Sequence, residues 1–285
     1  MSESRFFEQP DGSKIAYKIL KSENIKNDIP LVLIIGFGGT KEHFMGFDEE
    51  LAKTQEVIIF DNRGIGESTV ASYDDPITME LMAKDAIELI KHLGIKKFNL
   101  FGGSMGAMIA LCVALNVPSD LKLEKFIISS GSAQVSTSSK KYQELEELCK
   151  STEFTLPKTI QGQKDMLLYS SKDLARYFLE HPDEIDKLYK FAEIIVKTNN
   201  KRPFEIFKRQ WEAIKQYNIV SKLHTIKVPT LIIHGEDDEV IPIQDGEIID
   251  REIPNTQFYR IPNVGHCIYE LAPESINIIN EFLNN

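Results

Sequence analysis

The strongest constraint on the fold of this chain is a series of short apolar segments that alternate with helical periodicity. Each segment is continuous and rich in β-branched residues, which is typical of strands buried on both faces of a parallel sheet. Five such segments are PLVLII (30–35), EVIIF (56–60), KFNLF (97–101), KFIIS (125–129) and PTLIIH (229–234), and QFYRI (257–261) is predicted as the last strand. This alternation predicts a doubly wound α/β sheet, because parallel neighbours require long crossover connections.

Most segments between these strands have the periodicity of helices. TMELMAKDAIELIKHLG (78–94) carries its apolar residues on one stripe and ends in a glycine, and PESINIINEFL (273–283) is also amphipathic. SMGAMIALCVALN (104–116) is apolar nearly all round, which predicts a buried helix. Near the start of the chain, FFEQ and KIAYKI flank the turn PDGS and predict an opening hairpin.

The alternation stops in the segment 131–224, which lacks strand signals and is too long for a loop. It predicts a helical cap inserted into an α/β core that comprises 1–130 and 225–285. The predicted cap helices are 142–149, 164–180, 184–196 and 203–217. The last of them carries a stripe of large side chains at helical spacing: Phe204, Phe207, Trp211 and Ile214. These side chains either pack the cap together or line a ligand pocket beneath it.

Charge and hydropathy exclude several classes of partner. The 285 residues carry a formal net charge of −10 without a basic cluster, so nucleic acid is not an expected partner. No stretch approaches the ~20 apolar residues that a membrane span requires. No signal peptide, prenylation motif or retention motif is recognisable, so a cytoplasmic location is expected. The three cysteines are far apart, which argues against a disulfide framework and a structural zinc site.

Ser104 is the candidate nucleophile. It lies in FGGSMGAM, between Gly102 and Gly106, where the strand 97–101 turns into the buried helix. A serine on such a sharp turn is exposed at the carboxyl end of the sheet, and glycines two residues away on both sides avoid clashes with neighbouring backbone. It also lies at the positive end of the helix dipole, which favours a developing negative charge.

A serine nucleophile needs a histidine base. His266 lies after the last strand and before the last helix, at the same edge of the sheet as Ser104, and is the preferred base. The pattern predicts that the other five histidines are not catalytic: His43 and His92 at exposed helix positions, His181 and His224 at helix edges, and His234 at a strand end in a structural role.

The base in turn needs a carboxylate that orients it. HGEDDEVIP follows the strand 229–234 and offers Glu236, Asp237 and Asp238 in the chain order serine, acid, histidine. Asp238 is the preferred acid, and Glu236 and Asp237 remain as substitutes.

Acyl transfer also needs donors for the oxyanion. The backbone N–H of Met105, directly after the serine, is one predicted donor. The glycine-rich loop GFGGT (36–40) follows the strand 30–35 at the same edge, and the N–H of Phe37 is the second.

Together these motifs resemble the α/β-hydrolase superfamily over nearly the whole chain. DNRGIGES (61–68) is similar to a structural turn of that family, and GEDDEVIP is similar to its acid turn, in which the aspartate four residues before the proline is the acid. That position is Asp238. Ile35 stands where the family usually has a histidine. The resemblance implies an α/β-hydrolase fold: an eight-stranded, mostly parallel, doubly wound sheet with an inserted helical cap.

Within the superfamily, the chain resembles capped serine hydrolases of the aclacinomycin methylesterase-like and 3-oxoadipate enol-lactonase-like type. The resemblance implies hydrolysis of a carboxylic ester or lactone through an acyl-enzyme, without a metal or an organic cofactor. A serine at 104 argues against the dehalogenase and epoxide hydrolase branches, which use an aspartate. The aromatic content of the cap predicts a small apolar or aromatic substrate. Alternatives are C–C bond hydrolysis, thioester cleavage or perhydrolysis at the same site, or a slow-turnover ligand receptor.

Overall fold

The computed structural model describes residues 3–21, 24–74, 76–137, 139–151 and 156–285. Eight strands form one sheet in the order β1-β2-β4-β3-β5-β6-β7-β8. Their bounds are β1 Arg5–Glu8, β2 Lys14–Leu20, β3 Asn27–Ile34, β4 Gln55–Phe60, β5 Lys97–Gly103, β6 Lys122–Ser129, β7 Thr230–Gly235 and β8 Thr256–Ile261. β2 runs antiparallel to both of its neighbours, β1 and β4, and β3 to β8 are all parallel to one another. The predicted mostly parallel sheet and its opening hairpin are therefore confirmed.

Helices connect the parallel strands and cover both faces of the sheet. Their bounds are α1 Phe47–Leu51, α2 Met79–His92, α3 Met105–Leu115, α4 Lys140–Lys150, α5 Ile160–Ser170, α6 Lys172–Glu180, α7 Ile185–Thr198, α8 Phe204–Lys215, α9 Ile243–Glu252, α10 Ile268–Leu271 and α11 Glu274–Asn284. Short 3₁₀ turns lie at Lys41–Phe44, Pro182–Glu184, Asn199–Lys201 and Val220–Thr225. Within the described residues, no helix combines the length and apolar character that crossing a bilayer would require.

The core lies on both faces of the sheet because successive side chains of a strand point in opposite directions. In β3, Val32 and Ile34 pack on the face covered by α2 and α3, whereas Leu31 and Leu33 pack on the face covered by α1 and α11. Burial on both faces explains why the strand segments are continuously apolar in the sequence. The apolar helix α3 is buried from Met105 to Val113, as its composition predicts.

Helices α4 to α8 all lie in the segment between β6 and β7, and we refer to this whole segment as the helical insertion. One prediction within it was wrong. The segment 164–180 is not one helix, because Ser171 is extended (φ −132°, ψ 106°) and its side chain accepts a hydrogen bond from Leu174 N–H, which starts α6 as a separate helix. Serine favours such N-cap positions over helix interiors.

The sheet topology determines where a site can form. The chain passes from β3 to β4 on one side and then to β5 on the other, so the strand order reverses between β3 and β5. Ligands of open α/β sheets bind at the carboxyl ends of the strands beside such a switch point. The register places Ile34 of β3 opposite Gly102 of β5, so the loops after these two strands lie side by side.

Candidate active site

Ser104 occupies a strained turn between β5 and α3. Its φ of 57° and ψ of −125° lie outside the regions that L residues favour, and such conformations cost of order 1–3 kcal/mol. Tight packing holds the turn: a Cβ at Gly106 would lie 2.1 Å from the Ile34 carbonyl oxygen, and one at Gly102 would lie 2.4 Å from the Gly106 carbonyl oxygen. The Ser104 N–H donates to the Ser129 carbonyl at 2.9 Å. The turn therefore needs glycine at both flanking positions.

The structure places His266 within hydrogen-bond distance of both Ser104 and Asp238. His266 Nε2 lies 2.9 Å from Ser104 Oγ, and His266 Nδ1 lies 2.8 Å from Asp238 Oδ2. A carboxylate can only accept, so Nδ1 carries the proton and donates to Asp238, which leaves the Nε2 lone pair facing the serine hydroxyl. In this geometry, His266 Nε2 is positioned to accept the hydroxyl proton of Ser104.

Asp238 is buried in the turn after β7. Its Oδ1 accepts hydrogen bonds from the N–H groups of Val240 and Ile241, both at 2.9 Å. Burial alone raises the pKa of Asp238, but the electrostatic interaction with His266 and hydrogen bonds from His234 and His266 outweigh burial and hold that pKa well below its usual range. The side chain is therefore an anion at any pH at which the protein would be assayed.

The two other acids of this turn lie elsewhere. Glu236 and Asp237 are exposed, and Asp237 pairs with Arg176 of α6 at 3.3 Å. His234, predicted to be structural, is fully buried, and its Nε2 donates to the Ile241 carbonyl at 2.8 Å while lying 3.4 Å from Asp238 Oδ2. It supports the turn that holds Asp238.

The loop after β3 is hydrogen-bonded to the helical insertion through the backbone N–H and the backbone carbonyl of Gly38. The Gly38 N–H donates to Gln210 Oε1 at 2.9 Å, and the Gly38 carbonyl accepts from Arg202 Nε at 2.7 Å. Within the described part of the chain, the N–H groups of Phe37 and Met105 donate to no other protein group. Both residues line the cavity described next, and their role as oxyanion donors stays a prediction.

A cavity of about 340 Å³ opens above Ser104, within the range typical of ligand pockets. Side chains of the core and of the helical insertion line it, and most are apolar. Trp211 and Ile214 are among them, whereas Phe207 packs against the Phe37 ring at 5.1 Å between centroids. Two residues of the stripe on α8 therefore line the cavity, and Phe207 packs the insertion onto the core. The pocket hypothesis holds for the former and the packing hypothesis for the latter.

The prediction that His43 is exposed was wrong. Only 8% of its surface is accessible, and it lines the cavity. Its Nδ1 accepts from the Thr40 N–H at 3.3 Å, and its Nε2 donates to Thr198 Oγ1 of α7 at 2.9 Å. Burial, and then the nearby charge of Arg202, lower the pKa of His43 to about 3. The imidazole is therefore neutral. No local sequence pattern indicates its burial, because its partner Thr198 is 155 residues away.

Sequence reasoning also missed Arg202, which lies just after the turn Asn199–Lys201 and lines the cavity. Its guanidinium stacks over the Phe207 ring at 5.1 Å from the centroid. Burial lowers the pKa of Arg202 to about 10, so the side chain stays charged at neutral pH. No motif marks this residue, because its position depends on how the insertion packs against the loop after β3.

Sheet topology and the Ser104–His266–Asp238 arrangement together define a protein of the hydrolase class of α/β folds. The family model for the alpha/beta hydrolase fold matches residues 29–273, and the chain belongs to that family. The resemblance inferred from the motifs is thereby confirmed. Membership of this family supports the assignment of the protein as a hydrolase.

The proteins to which this chain is similar carry the names of different hydrolytic activities. The chain is 26% identical to monoacylglycerol lipase ABHD6 of Homo sapiens over 89% of this chain and 74% of the lipase. It is 27% identical to proline iminopeptidase of Clostridioides difficile over 96% of this chain and 95% of the peptidase. A solved structure of the enol-lactonase from Burkholderia xenovorans superposes with a TM-score of 0.77 at 20% identity, covering 99% of this chain and all (100%) of the lactonase. This last similarity supports the fold.

Proposed function

We propose that this protein is a serine hydrolase that cleaves a carboxylic ester or lactone through an acyl-enzyme. The observation that carries the proposal is the continuous hydrogen-bonded chain from Ser104 Oγ through His266 to Asp238. Such a chain raises the nucleophilicity of the serine, because the histidine accepts the hydroxyl proton as the C–O bond forms.

In the proposed reaction, Ser104 Oγ attacks the substrate carbonyl carbon and His266 Nε2 takes the hydroxyl proton. The N–H groups of Phe37 and Met105 stabilise the resulting oxyanion, each by about 3 kcal/mol. His266 then gives the proton to the leaving alcohol as the tetrahedral intermediate collapses to the acyl-enzyme. Water, deprotonated by His266, attacks the acyl-enzyme and releases the acid and Ser104. Asp238 orients His266 and stabilises its charged form.

The composition of the cavity supports a small substrate with an apolar or aromatic body. Phe191, Trp211, Met108 and Ile195 contribute to its walls, and its volume of about 340 Å³ matches a small organic molecule. We expect aromatic and medium-chain acyl esters to be hydrolysed with a higher kcat/KM than acetates. A panel of p-nitrophenyl esters and lactones measures this, and a preference for acetate would contradict the assignment of substrate class.

The nucleophile is tested by Ser104→Ala. We expect a folded protein that neither hydrolyses p-nitrophenyl esters nor reacts with a fluorophosphonate probe, because the attacking oxygen is gone. Cys267→Ala is the matched control, since this thiol adjoins His266 and is the other nucleophile in the region. It should retain both turnover and labelling. Unchanged turnover in Ser104→Ala would refute the proposal.

The same three residues would also support other chemistry. Thioesters, β-diketones for C–C bond hydrolysis, and peracid formation from hydrogen peroxide belong in the same substrate panel. Fast ester turnover by purified protein would count against a ligand receptor, for which slow turnover and ligand-dependent partner binding are expected.

A further inference from the structure

Arg202 has an unused hydrogen-bonding edge in the proposed active-site cavity. Its Nε donates to the Gly38 carbonyl, and the Phe207 ring supports one face of the guanidinium. Within the described residues, no carboxylate lies within 4.0 Å of it, and its two terminal nitrogens donate to no protein group. The contacts therefore orient Arg202 without neutralising it.

The surroundings of this charge are apolar or neutral. Arg202 is the only lysine or arginine that lines the described part of the cavity, and His43, which interacts electrostatically with it, is held neutral by burial. A half-buried charge beside apolar walls is disfavoured unless a partner compensates it. Nothing in the described protein supplies that partner, whereas a ligand in the cavity can.

Guanidinium recognises one type of group particularly well. Its planar terminal nitrogens match the two oxygens of a carboxylate, with which they form paired, charge-assisted hydrogen bonds. One cation also matches one monoanion, and no second cation of the described lining is available for a dianion such as phosphate.

We propose that Arg202 binds a carboxylate of the substrate, so that the substrate is an ester or lactone whose apolar body carries one carboxylate besides the bond that is cleaved. This inference rests on the proposed hydrolase function. The inference specifies the charge of the substrate. The hydrogen-bonded chain at Ser104 does not determine that charge.

The test compares two esters of equal chain length. Mono-p-nitrophenyl glutarate carries a terminal carboxylate, and p-nitrophenyl pentanoate carries a methyl group in its place. We expect wild-type kcat/KM to be roughly 10- to 100-fold higher for the glutarate ester, the effect of one charged hydrogen-bonded pair. Hydrolysis of both esters depends on the loop after β3. A variant that disturbs this loop therefore lowers both kcat/KM values, and the effect cancels in the ratio of the two values.

Three variants identify the residue responsible. Arg202→Gln should abolish the preference for the glutarate ester, and Arg202→Lys should keep part of it because the charge remains. Lys201→Gln is the matched control: it removes a charge from the neighbouring exposed residue and should leave the preference unchanged. Equal rates for the two esters in the wild type, or a preference that survives in Arg202→Gln, would overturn the inference.

A binding measurement separates this inference from the proposed hydrolysis. If the wild type hydrolyses neither ester, the proposed function has failed, and calorimetric titration with pentanoate decides the carboxylate site by itself. Binding by the wild type that is lost in Arg202→Gln would support the site. No binding, or equal binding by both proteins, would overturn it.

Discussion

Buried His43 should make the protein sensitive to acid well above the pH at which carboxylates titrate. The folded protein holds the pKa of His43 at about 3, against an ordinary value of 6.5 that applies in the unfolded chain. Between these two values the unfolded state binds a proton that the folded state does not. Lowering the pH therefore stabilises the unfolded state, and the stability lost begins near pH 6.5 and accumulates down to about pH 3.

The size of the effect follows from the same two values. Each pH unit within the window changes the free energy of unfolding by about 1.4 kcal/mol. Between pH 7 and pH 5, His43 should therefore lower stability by about 2 kcal/mol. The structure explains why the folded state resists the proton: His43 is buried, the positive charge of Arg202 is close, and Nδ1 faces the Thr40 N–H, which is a donor.

The substitution His43→Gln removes the titrating group and retains an amide that can both donate and accept. We expect its free energy of unfolding to fall by about 2 kcal/mol less than that of the wild type between pH 7 and pH 5. Urea unfolding followed by the fluorescence of Trp211, the only tryptophan, measures the difference. The same substitution at exposed His224 is the control and should keep the wild-type pH dependence. Identical pH dependence in wild type and His43→Gln would refute the reasoning.

Two further substitutions test the turn and the acid. Gly106→Ala places a methyl group 2.1 Å from the Ile34 carbonyl oxygen and should destabilise the protein by about 3 kcal/mol or more. Gly103→Ala in the same turn meets its nearest atom at 3.5 Å and should change the urea midpoint little; equal midpoints for the two variants would count against the packing argument. Asp238→Asn should reduce ester kcat by roughly 10³- to 10⁴-fold, because His266 loses the acceptor that fixes its tautomer. A decrease of less than about tenfold would contradict that role.

The sequence predicted the relative placement of Ser104, Asp238 and His266 because parallel topology determines it. Each residue follows a strand, and the carboxyl ends of parallel strands meet at one edge of the sheet. The hydrophobic pattern of the strands located these ends to within two residues for β5, β7 and β8. Local rules therefore sufficed for the residues that the core of the fold positions.

The same local rules failed where burial depends on contacts across the chain. His43 lies in a short turn whose charged neighbours suggest a surface, yet Thr198 of α7 covers it. Arg202 and Gln210 carry no motif, and only the packing of the helical insertion brings them to Gly38. The break at Ser171 was missed because its flanking residues are compatible with one continuous helix. These contacts join residues far apart in the chain, or depend on how the insertion packs, so a pattern within a window of a dozen residues cannot predict them.

The attachment of Gly38 to Gln210 and Arg202 has a consequence for protein engineering. The helical insertion is a natural segment to exchange between relatives, but it also holds the backbone of the loop that carries Phe37. A chimera with a foreign insertion would have to supply an equivalent acceptor for the Gly38 N–H and an equivalent donor for its carbonyl. Exchange of the insertion would thus change the lining of the cavity and the anchoring of this loop at the same time, so libraries that diversify α7 and α8 should hold Arg202 and Gln210 constant.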